Sequence, residues 1–570
     1  MQPLLQIKDL QVDFNTETGV HTAARNISFE VNHSEIVAIV GESGSGKSVT
    51  ALSILRLLPS KTARYTKGEI LFSKNGNETI NLLSISEREM RSIRGNEIGM
   101  IFQEPMTSLN PVFTCGHQVM EAIQLHQNLS KKDAKQTTTE LFQKVKLPDP
   151  QNLFNRYPHQ LSGGQKQRVM IAMAMSCQPS LLICDEPTTA LDVTVQKTIL
   201  QLIKDLQSEV KMGVIFITHD LGVVAEIADK AVVMYRGEIV ETGKTKQIFD
   251  NPKHPYTKGL LACRPILHEK GERLPVVSDF VEEHKTEAVF KSKSQPVQAP
   301  IQKTSTPLIR VEHLKVWYPA FKTLLGKPRQ FIKAVDDVSF EVMQGETLGL
   351  VGESGCGKTT LGRSLLRLVN PTDGKIFYKK TELTALAGDQ LKQLRKDIQI
   401  IFQDPYSSLN PRLTIGSAIA EPLRVHGLIP NEKQRKEKVV ELLEKVSLKP
   451  EHFNNYPHEF SGGQRQRIVI ARALALNPGF LVCDESVSAL DVSVQAQVLN
   501  LLNDLKKEFG FTVVFISHDL SVVHYISDRI MVMNQGKIIE IGTADEVYNH
   551  PKEPYTKKLI SSIPGKSVQQ

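Results

Sequence analysis

The stretch GESGSGKS, Gly41 to Ser48, decides the fold of this 570-residue chain. It follows a short apolar run, Glu35 to Val40, that is typical of a buried strand. It opens a segment, Lys47 to Leu58, whose leucines recur at helical spacing. Glycines in such a turn let backbone N–H groups converge on phosphate oxygens, and the helix start adds positive potential. The pattern of strand, glycine-rich turn and helix therefore predicts a P-loop in an α/β domain.

This motif is one of several that occur twice in the same order. The matched pairs are GESGSGKS with GESGCGKT (Gly352 to Thr359), IFQEPMTSLNP (Ile101 to Pro111) with IFQDPYSSLNP (Ile401 to Pro411), LSGGQKQRVM (Leu161 to Met170) with FSGGQRQRIV (Phe460 to Val469), LLICDEPTTALD (Leu181 to Asp192) with FLVCDESVSALD (Phe480 to Asp491), and FITHDL (Phe216 to Leu221) with FISHDL (Phe515 to Leu520). One P-loop match could be an ordinary glycine-rich turn, but two matches in the same setting argue against that alternative. Shared order and spacing over about 250 residues indicate a duplicated domain and not a short-period repeat.

The domain organisation follows from this duplication. We expect a first domain at 1–265, a linker at 266–307 and a second domain at 308–570, because the join is rich in Lys, Ser, Thr, Gln and Pro. Strands alternating with helices predict a mainly parallel sheet in each copy, with ligands at the carboxyl ends of its strands. Segments 106–160 and 406–460 break this alternation and predict an inserted helical subdomain.

The two copies differ in length between the P-loop lysine and the glutamine of the next motif. The first copy has 11 more residues there than the second (47 to 103 against 358 to 403). We expect this difference in a surface loop near Phe72 to Ser84.

Composition restricts the class of protein. The chain is 40% hydrophobic and 23% charged, with a net charge of +7 and no basic block, which indicates a soluble protein with a mixed surface and no nucleic-acid partner. Its six cysteines form no CxxC, so we expect no zinc site and no iron–sulfur cluster. No signal peptide or run of about 20 apolar residues is present, which indicates a cytosolic protein.

The P-loops are predicted to hold a nucleoside triphosphate. Lys47 and Lys358 would reach its β- and γ-phosphates, and the hydroxyls of Ser48 and Thr359 would ligate Mg²⁺. The other predicted phosphate-binding residues are Gly41, Glu42, Ser43, Gly44, Ser45 and Gly46 in the first copy, and Gly352, Glu353, Ser354, Gly355, Cys356 and Gly357 in the second.

An Asp–Glu pair ends an apolar run in each copy. Asp185 and Asp484 are expected to hold Mg²⁺ through water. Glu186 and Glu485 come one residue later, so they should point to the other side of the strand and could polarise the attacking water. The alternative is an acidic turn that faces solvent after a buried strand. The P-loops ahead of both pairs favour the magnesium site.

Other strand ends carry further candidates. His219 and His518 could contact the γ-phosphate, and Gln103 and Gln403 could contact both Mg²⁺ and the water. A structural role is the alternative for each. Phe14 and Tyr318 occupy equivalent places ahead of the P-loops and could stack on adenine, or simply pack within a strand.

The order P-loop, glutamine, SGGQ, Asp–Glu, ALD and histidine resembles the nucleotide-binding domains of ABC ATPases, over about residues 4–265 and 308–564. The resemblance implies ATP and Mg²⁺ as ligands, and an antiparallel β subdomain at the start of each P-loop NTPase domain. It also implies that the halves meet head to tail, with each SGGQ signature closing over the ATP of the other half. Carried over, the signature residues are Ser162, Gly163, Gly164, Gln165, Ser461, Gly462, Gly463 and Gln464, with Asp192 and Asp491 across the same seam.

A finer resemblance concerns HPYTKGLLACRP, His254 to Pro265, and EPYTKKLI, Glu553 to Ile560. These resemble segments in the ATPase subunits of dipeptide and oligopeptide importers, a branch that also handles nickel, glutathione or peptide-like antibiotics. The resemblance implies two integral membrane permease subunits, an extracytoplasmic substrate-binding protein, and a peripheral location on the cytoplasmic face of the inner or plasma membrane. Some members carry a cysteine cluster for an iron–sulfur centre, but Cys263 stands alone here, so none is expected.

The alternative function is a soluble ABC ATPase that acts on ribosomes or DNA. Such chains tend to carry a long charged helical linker, coiled-coil arms or zinc-binding cysteines. This chain has a Pro/Ser/Lys linker, no heptad arm and no CxxC. The sequence therefore favours transport.

Overall fold

The computed structural model describes residues 2–16, 19–74, 78–189, 191–281, 306–322, 328–488 and 490–564. The chain divides into two compact units, one made mostly of residues up to 261 and the other mostly of residues 262–563. Each unit contains a four-stranded antiparallel sheet and a six-stranded, mainly parallel sheet, with a group of helices inserted before the last strands. The predicted α/β fold class is confirmed: each of two tandem units has a mainly parallel sheet, an antiparallel β subdomain and an inserted helical subdomain.

The elements of the first unit follow in chain order. Its strands are β1 (Leu5–Thr16), β2 (Gly19–Val31), β3 (Ile36–Val40), β4 (Ala63–Phe72), β5 (Ile80–Asn81), β6 (Ile98–Ile101), β7 (Leu181–Asp185), β8 (Gly213–Thr218), β9 (Lys230–Tyr235) and β10 (Glu238–Lys244). Its helices are α1 (Lys47–Ile54), α2 (Glu87–Ile93), α3 (Pro105–Ser108), α4 (Cys115–Gln127), α5 (Lys131–Lys144), α6 (Pro150–Leu153), α7 (Gly163–Ala174), α8 (Val193–Val210), α9 (Leu221–Ile227), α10 (Thr245–Asp250) and α11 (Pro255–Ala262). A short helix, α12 (Val277–Val281), follows at the start of the second unit.

The second unit repeats this order. Its strands are β11 (Pro307–Lys322), β12 (Pro328–Met343), β13 (Thr347–Val351), β14 (Asp373–Tyr378), β15 (Thr381–Glu382), β16 (Ile398–Ile401), β17 (Phe480–Asp484), β18 (Thr512–Ile516), β19 (Arg529–Asn534) and β20 (Lys537–Thr543). Its further helices are α13 (Lys358–Leu365), α14 (Gly388–Leu394), α15 (Pro405–Ser408), α16 (Ile415–Val425), α17 (Glu432–Lys445), α18 (Gly462–Leu474), α19 (Val492–Phe509), α20 (Leu520–Ile526), α21 (Ala544–Asn549) and α22 (Pro554–Ser561).

The order of strands in the main sheet places the candidate residues together. In the first unit the order is β10-β9-β3-β8-β7-β6, and β3 pairs in parallel with both β8 and β9. The second unit has the equivalent order β16-β17-β18-β13-β19-β20. Because β3, β6, β7 and β8 are parallel, the P-loop, the glutamine, the Asp–Glu pair and the histidine all follow carboxyl ends at one edge of the sheet.

Two hydrophobic cores hold the first unit together. One joins the antiparallel sheet to one face of the main sheet and to α1, and includes Leu10, Val37 and Ile54. The other packs α4, α5, α7 and α8 against the opposite face, and includes Phe142 and Phe216. Because both faces of the main sheet are covered, its inner strands β3, β7 and β8, and also β6, are buried along their whole length. These strands therefore appear in the sequence as continuous apolar stretches.

The expected position of the longer connection in the first copy was only partly right. The connection between β4 and β5 is indeed longer (residues 73–79) than that between β14 and β15 (379–380). However, β4 also has 10 residues where β14 has 6. The extra length is therefore shared between a longer strand and a longer loop, of which 75–77 lie outside the described residues. A strand can lengthen at its end without disturbing the register of its pairing.

Residues 262–281, which follow the last helix of the first unit, pack within the second unit. The backbone of Leu274 makes two hydrogen bonds with the buried side chain of Asn500: its N–H donates to Oδ1 at 3.0 Å, and its carbonyl accepts from Nδ2 at 2.8 Å. Tyr525 Oη donates to the carbonyl of Glu272 at 2.6 Å. Part of the segment predicted as a linker thus has fixed contacts, while 282–305 lie outside the described residues. The predicted domain boundaries themselves stay a prediction.

Candidate functional site

The backbone of each P-loop takes conformations that glycine adopts most readily. Gly44 and Gly46 have φ values of 79° and 97°, in the left-handed region. A Cβ on Gly46 would lie 2.6 Å from the carbonyl oxygen of Ala23, whereas one on Gly44 would meet nothing within 4 Å. Gly44 therefore leaves open space above the loop, which a phosphate group would need.

Each P-loop lysine is buried and bound to its own loop. Lys47 Nζ donates to the carbonyls of Gly41 and Glu42 at 2.7 and 2.8 Å. Lys358 Nζ donates to the carbonyls of Gly352 and Glu353 at 2.7 and 3.0 Å. The ammonium groups are thus held at the mouth of the loop, where they can attract an anionic ligand.

In both units the hydroxyl predicted to bind Mg²⁺ is hydrogen-bonded to the aspartate that is predicted to bind the same ion. Ser48 Oγ donates to Asp185 Oδ1 at 3.0 Å, and Thr359 Oγ1 donates to Asp484 Oδ1 at 3.0 Å. Burial raises the pKa of Asp185 to about 6, and burial also raises the pKa of Asp484. Because burial makes these carboxyl groups costly to ionise, a cation bound nearby would stabilise their charged form.

The residues present fit a magnesium ion. Oδ2 of Asp484 is buried without a hydrogen-bond partner, and the Arg363 guanidinium lies 3.9 Å from it. Each site offers one carboxylate and one hydroxyl, and phosphate oxygens and water would supply the other oxygen ligands that Mg²⁺ prefers. Among the described residues no cluster of three or more Cys, His, Asp or Glu could hold a metal without such help.

The glutamate of the first Asp–Glu pair is the centre of a polar cluster. Its Oε2 accepts from Thr189 Oγ1 at 2.9 Å and from Gln103 Nε2 at 3.3 Å, and lies 3.2 Å from His219 Nδ1. Burial alone would raise the pKa of Glu186, but contact with His219, the Thr189 hydrogen bond and the Lys47 charge outweigh it and lower the pKa to about 2. Glu186 is therefore ionised at any physiological pH and can accept a hydrogen bond from a water molecule.

The second unit repeats the cluster with small differences. Gln403 Nε2 donates to Glu485 Oε2 at 2.8 Å, and His518 Nδ1 lies 3.6 Å from the same oxygen. Burial would raise the pKa of Glu485, but His518 and the charge of Lys358 lower it below its ordinary value. Ser488 stands where the first unit has Thr189, and its hydroxyl makes no hydrogen bond to the glutamate.

The sequence predicts that strand alternation sets the direction of the two glutamates. The structure shows instead that both glutamates lie just beyond the strand. Glu186 follows the last residue of β7 and has φ 46°, and Glu485 follows β17 with φ 48°. Their N–H groups still donate to the carbonyl oxygens of Ile217 and Ile516 in the neighbouring strands, at 3.0 and 2.9 Å. A left-handed conformation is costly for a residue with a side chain and is typical of functional sites.

Each SGGQ signature forms the start of a helix. Ser162 Oγ accepts from the Gln165 N–H at 3.3 Å, and Gln165 Oε1 accepts from the Ser162 N–H at 3.0 Å. Ser461 and Gln464 make the same pair of bonds. The serine and glutamine thus form a capping box, which explains their spacing in terms of helix stability.

The two glycines between them have different surroundings. In the second unit a Cβ on Gly463 would lie 2.2 Å from Val494 Cγ1 of α19, while a Cβ on Gly462 would meet nothing within 4 Å. In the first unit Gly164 faces Val195 in the same way, at 2.8 Å. The second glycine is therefore needed for close packing between helices, and the first leaves the helix start open.

Replacing Gly463 by alanine is expected to destabilise the second unit by about 1–3 kcal/mol, because the added methyl group would overlap Val494. Gly462→Ala is the matched control: its methyl group has room, so the unfolding transition should stay near that of the wild type. Thermal unfolding without nucleotide measures both. Adding Val494→Ala to Gly463→Ala should recover part of the loss, and a loss that Val494→Ala leaves unchanged would contradict the packing explanation.

The remaining predicted residues lie in less definite surroundings. Phe14 is partly buried against the core of the first unit, whereas Tyr318 on β11 is 41% exposed. Asp192 is buried and accepts from Thr194 Oγ1 at 2.7 Å, and Asp491 is the residue before α19. Adenine stacking and a place at the seam stay predictions for these four.

Sequence reasoning missed several contacts of the site. Thr189 binds Glu186, and Arg363 lies near Asp484 in the second unit only. In addition, the hydroxyls of Tyr256 and Tyr555 accept from the second residue of each P-loop. The duplicated PYTK segment was the available signal for the tyrosines, but nothing in the sequence places it beside the P-loop.

The sequence is similar to two protein families and to named proteins. The model of the family described as "ABC transporter" matches residues 24–189 and 335–488, and that described as "Oligopeptide/dipeptide transporter, C-terminal region" matches 240–293 and 539–569. The chain is 51% identical over 566 residues to the "Glutathione import ATP-binding protein GsiA" of Escherichia coli (strain K12) and of Shigella flexneri. Each alignment covers 98% of this chain and 89% of the relative.

Part of this chain is also similar to solved structures. A dimeric cassette in a post-hydrolysis state with ADP and phosphate is 29% identical, with 41% of this chain and 98% of that chain covered and a TM-score of 0.38. A subunit of an ABC transporter complex from Clostridium perfringens is 25% identical, with 43% and 92% covered and a TM-score of 0.37. Within the described part of this chain, no helix is both long and apolar enough to span a bilayer.

Proposed function

Because the chain belongs to the ABC transporter family, we propose that it is the ATP-hydrolysing subunit that drives import of small peptides. The observation that carries this proposal is the 51% identity, over 98% of the chain, to proteins named for glutathione import. The match of the oligopeptide/dipeptide transporter region at the end of each half supports the same class of substrate. Glutathione, itself a tripeptide, is the first substrate to test.

We assign the steps of ATP hydrolysis to residues as follows. The P-loop N–H groups and Lys47 or Lys358 bind the phosphates, and the hydroxyl and aspartate pairs hold Mg²⁺. Bound Mg²⁺ would neutralise charge on the β- and γ-phosphates. Glu186 and Glu485 orient and polarise the attacking water. The histidine beside each carboxylate contacts the γ-phosphate, and the glutamine beside it contacts the water.

The signatures have the role that the resemblance implies. Ser162 and Ser461, with the glycines and glutamines that follow, are proposed to contact the ATP held by the opposite half. ATP would draw the halves together, and hydrolysis would let them separate. A helix start with free N–H groups and a serine hydroxyl suits an anionic γ-phosphate.

Membrane partners are proposed from the exposed surface after each glutamine. Val112 and Phe113 are 70% and 45% exposed, and Tyr406 in the second unit is 56% exposed. Adjacent exposed apolar side chains are typical of protein interfaces. We propose that these segments bind two integral membrane permease subunits, with the chain peripheral on the cytoplasmic face of the inner membrane. An external substrate-binding protein completes the importer, and no nucleic acid, zinc or iron–sulfur cluster is expected.

The importer is tested by uptake in a strain that lacks the gene for this chain. Uptake of labelled glutathione and of defined di- and tripeptides should be lost, and a plasmid copy should restore it. A copy with Glu186→Gln and Glu485→Gln, expressed to the same level, should not. Normal uptake in the deleted strain, together with co-sedimentation of the protein with ribosomes, would favour the alternative function.

A further inference from the structure

A tyrosine in the carboxy-terminal region of each half reaches the P-loop. Tyr256 is the second residue of α11, and its hydroxyl accepts from the N–H of Glu42 at 2.9 Å. Tyr555 is the second residue of α22, and its hydroxyl accepts from the N–H of Glu353 at 3.0 Å. The same contact is thus made independently in both units.

The P-loop residue that donates this bond also accepts a hydrogen bond from the lysine. In the first unit the N–H of Glu42 is held by Tyr256, while its carbonyl and that of Gly41 accept from Lys47 Nζ at 2.8 and 2.7 Å. One peptide group therefore connects the tyrosine to the lysine that is predicted to bind the phosphates. In the second unit Lys358 is held by the equivalent carbonyls at 2.7 and 3.0 Å.

The tyrosines are themselves fixed to the main sheet. Glu241 of β10 accepts from the N–H groups of Lys253 and His254 at 2.9 and 3.1 Å, just before α11. The ring of Tyr256 is fully buried against that of Tyr235, the last residue of β9, with centroids 4.2 Å apart. Because β9 pairs with the P-loop strand β3, this anchor belongs to the same rigid sheet.

The carboxylate part of this anchor is repeated in the second unit, where Asn534 ends β19 in place of the stacked Tyr235. Glu540 of β20 accepts from the N–H groups of Lys552 and Glu553 at 2.8 and 3.2 Å, just before α22. Burial raises the pKa of the Tyr555 hydroxyl, so it stays neutral and keeps its proton at physiological pH. It can accept from the loop and donate elsewhere at the same time.

We propose that Tyr256 and Tyr555 are positioning residues for ATP binding. Each fixes the first peptide groups of its P-loop, and through them the orientation of the lysine ammonium. The HPYT and EPYT segments then have a role at the nucleotide. This proposal rests on the ATPase activity of the proposed function, and it does not depend on the transported substrate.

The test is the double variant Tyr256→Phe with Tyr555→Phe, which removes two hydroxyls and keeps both rings. Loss of a hydrogen bond of ordinary strength should raise the KM for ATP roughly three- to ten-fold. The kcat should stay within about two-fold, because no group that contacts the reacting water is changed. The rise in melting temperature on adding Mg·ATP should be smaller than in the wild type.

The matched control is Tyr65→Phe with Tyr378→Phe, one tyrosine on the antiparallel sheet of each unit. These changes should leave the KM for ATP unaltered. The affinity for ATP can also be measured at equilibrium in chains that carry Glu186→Gln and Glu485→Gln, where the tyrosine changes should weaken binding by the same factor.

An unchanged KM in the double variant, or a lowered melting temperature with no change in KM, would overturn the positioning role. The importer proposal fails on a different result: normal ATP hydrolysis by the wild type without uptake of any peptide. The two proposals can thus be rejected separately.

Discussion

Replacing Glu186 and Glu485 together by glutamine is expected to lower the rate of ATP hydrolysis at least about 100-fold, while ATP still binds. Glutamine keeps the size of the side chain and its hydrogen bonds to neighbouring donors, but it cannot take a proton from water. The structure shows Glu186 held by Thr189, Gln103 and His219 around one carboxylate oxygen. The other oxygen can therefore face a water molecule.

Two measurements check this expectation: phosphate release at saturating Mg·ATP, and equilibrium binding of a fluorescent ATP analogue. Glu140→Gln with Glu444→Gln is a suitable control, because both glutamates are exposed on the helical subdomains. The control should hydrolyse ATP at the wild-type rate. Hydrolysis that persists in the Glu186 and Glu485 variant would show that neither carboxylate acts on the water.

Replacing Lys47 and Lys358 together by alanine is expected to abolish both binding and hydrolysis, with turnover reduced at least about 100-fold. These are buried cations whose partners in the described structure include the carbonyls of their own loops. The ammonium group of each lysine supplies the positive charge that binds the phosphates, and the alanine variant lacks that charge. This variant should differ from the glutamate variant in losing ATP affinity as well as turnover.

The loss of affinity can be measured as a thermal shift. Mg·ATP should raise the melting temperature of the wild type and of the Glu186 and Glu485 variant, but not that of the lysine variant. Lys61→Ala with Lys380→Ala is the control, since both lysines are exposed. A lysine variant that is stabilised by Mg·ATP as strongly as this control would contradict the assignment.

Much of the fold could be predicted because its signals are local. The strands that became β3, β7 and β8 are continuous apolar runs next to known motifs, and both faces of their sheet are covered. Parallel strands bring their carboxyl ends to one edge, so Ser48 and Asp185 could be expected to meet although 137 residues separate them. Duplication gave each prediction a second, independent example.

Other features needed the folded chain. The direction of Glu186 depends on a left-handed backbone at the end of β7, which no pattern of residue types announces. The clash that excludes a side chain at Gly463 involves Val494 of the next long helix. The 11 additional residues of the first copy could be counted, but their division between a strand and a loop could not.

By itself, the sequence determined that the chain is a duplicated P-loop ATPase, and it predicted which residues carry the chemistry. Those properties reside in short motifs whose residue types and order are set by phosphate and magnesium binding. Only the tertiary structure decided that Tyr256 supports the P-loop from 214 residues away, and that Leu274 pairs with Asn500 of the second unit. Such contacts depend on where distant parts of the chain meet in space. The sequence around a hydroxyl or an amide does not indicate which distant group will be its hydrogen-bond partner.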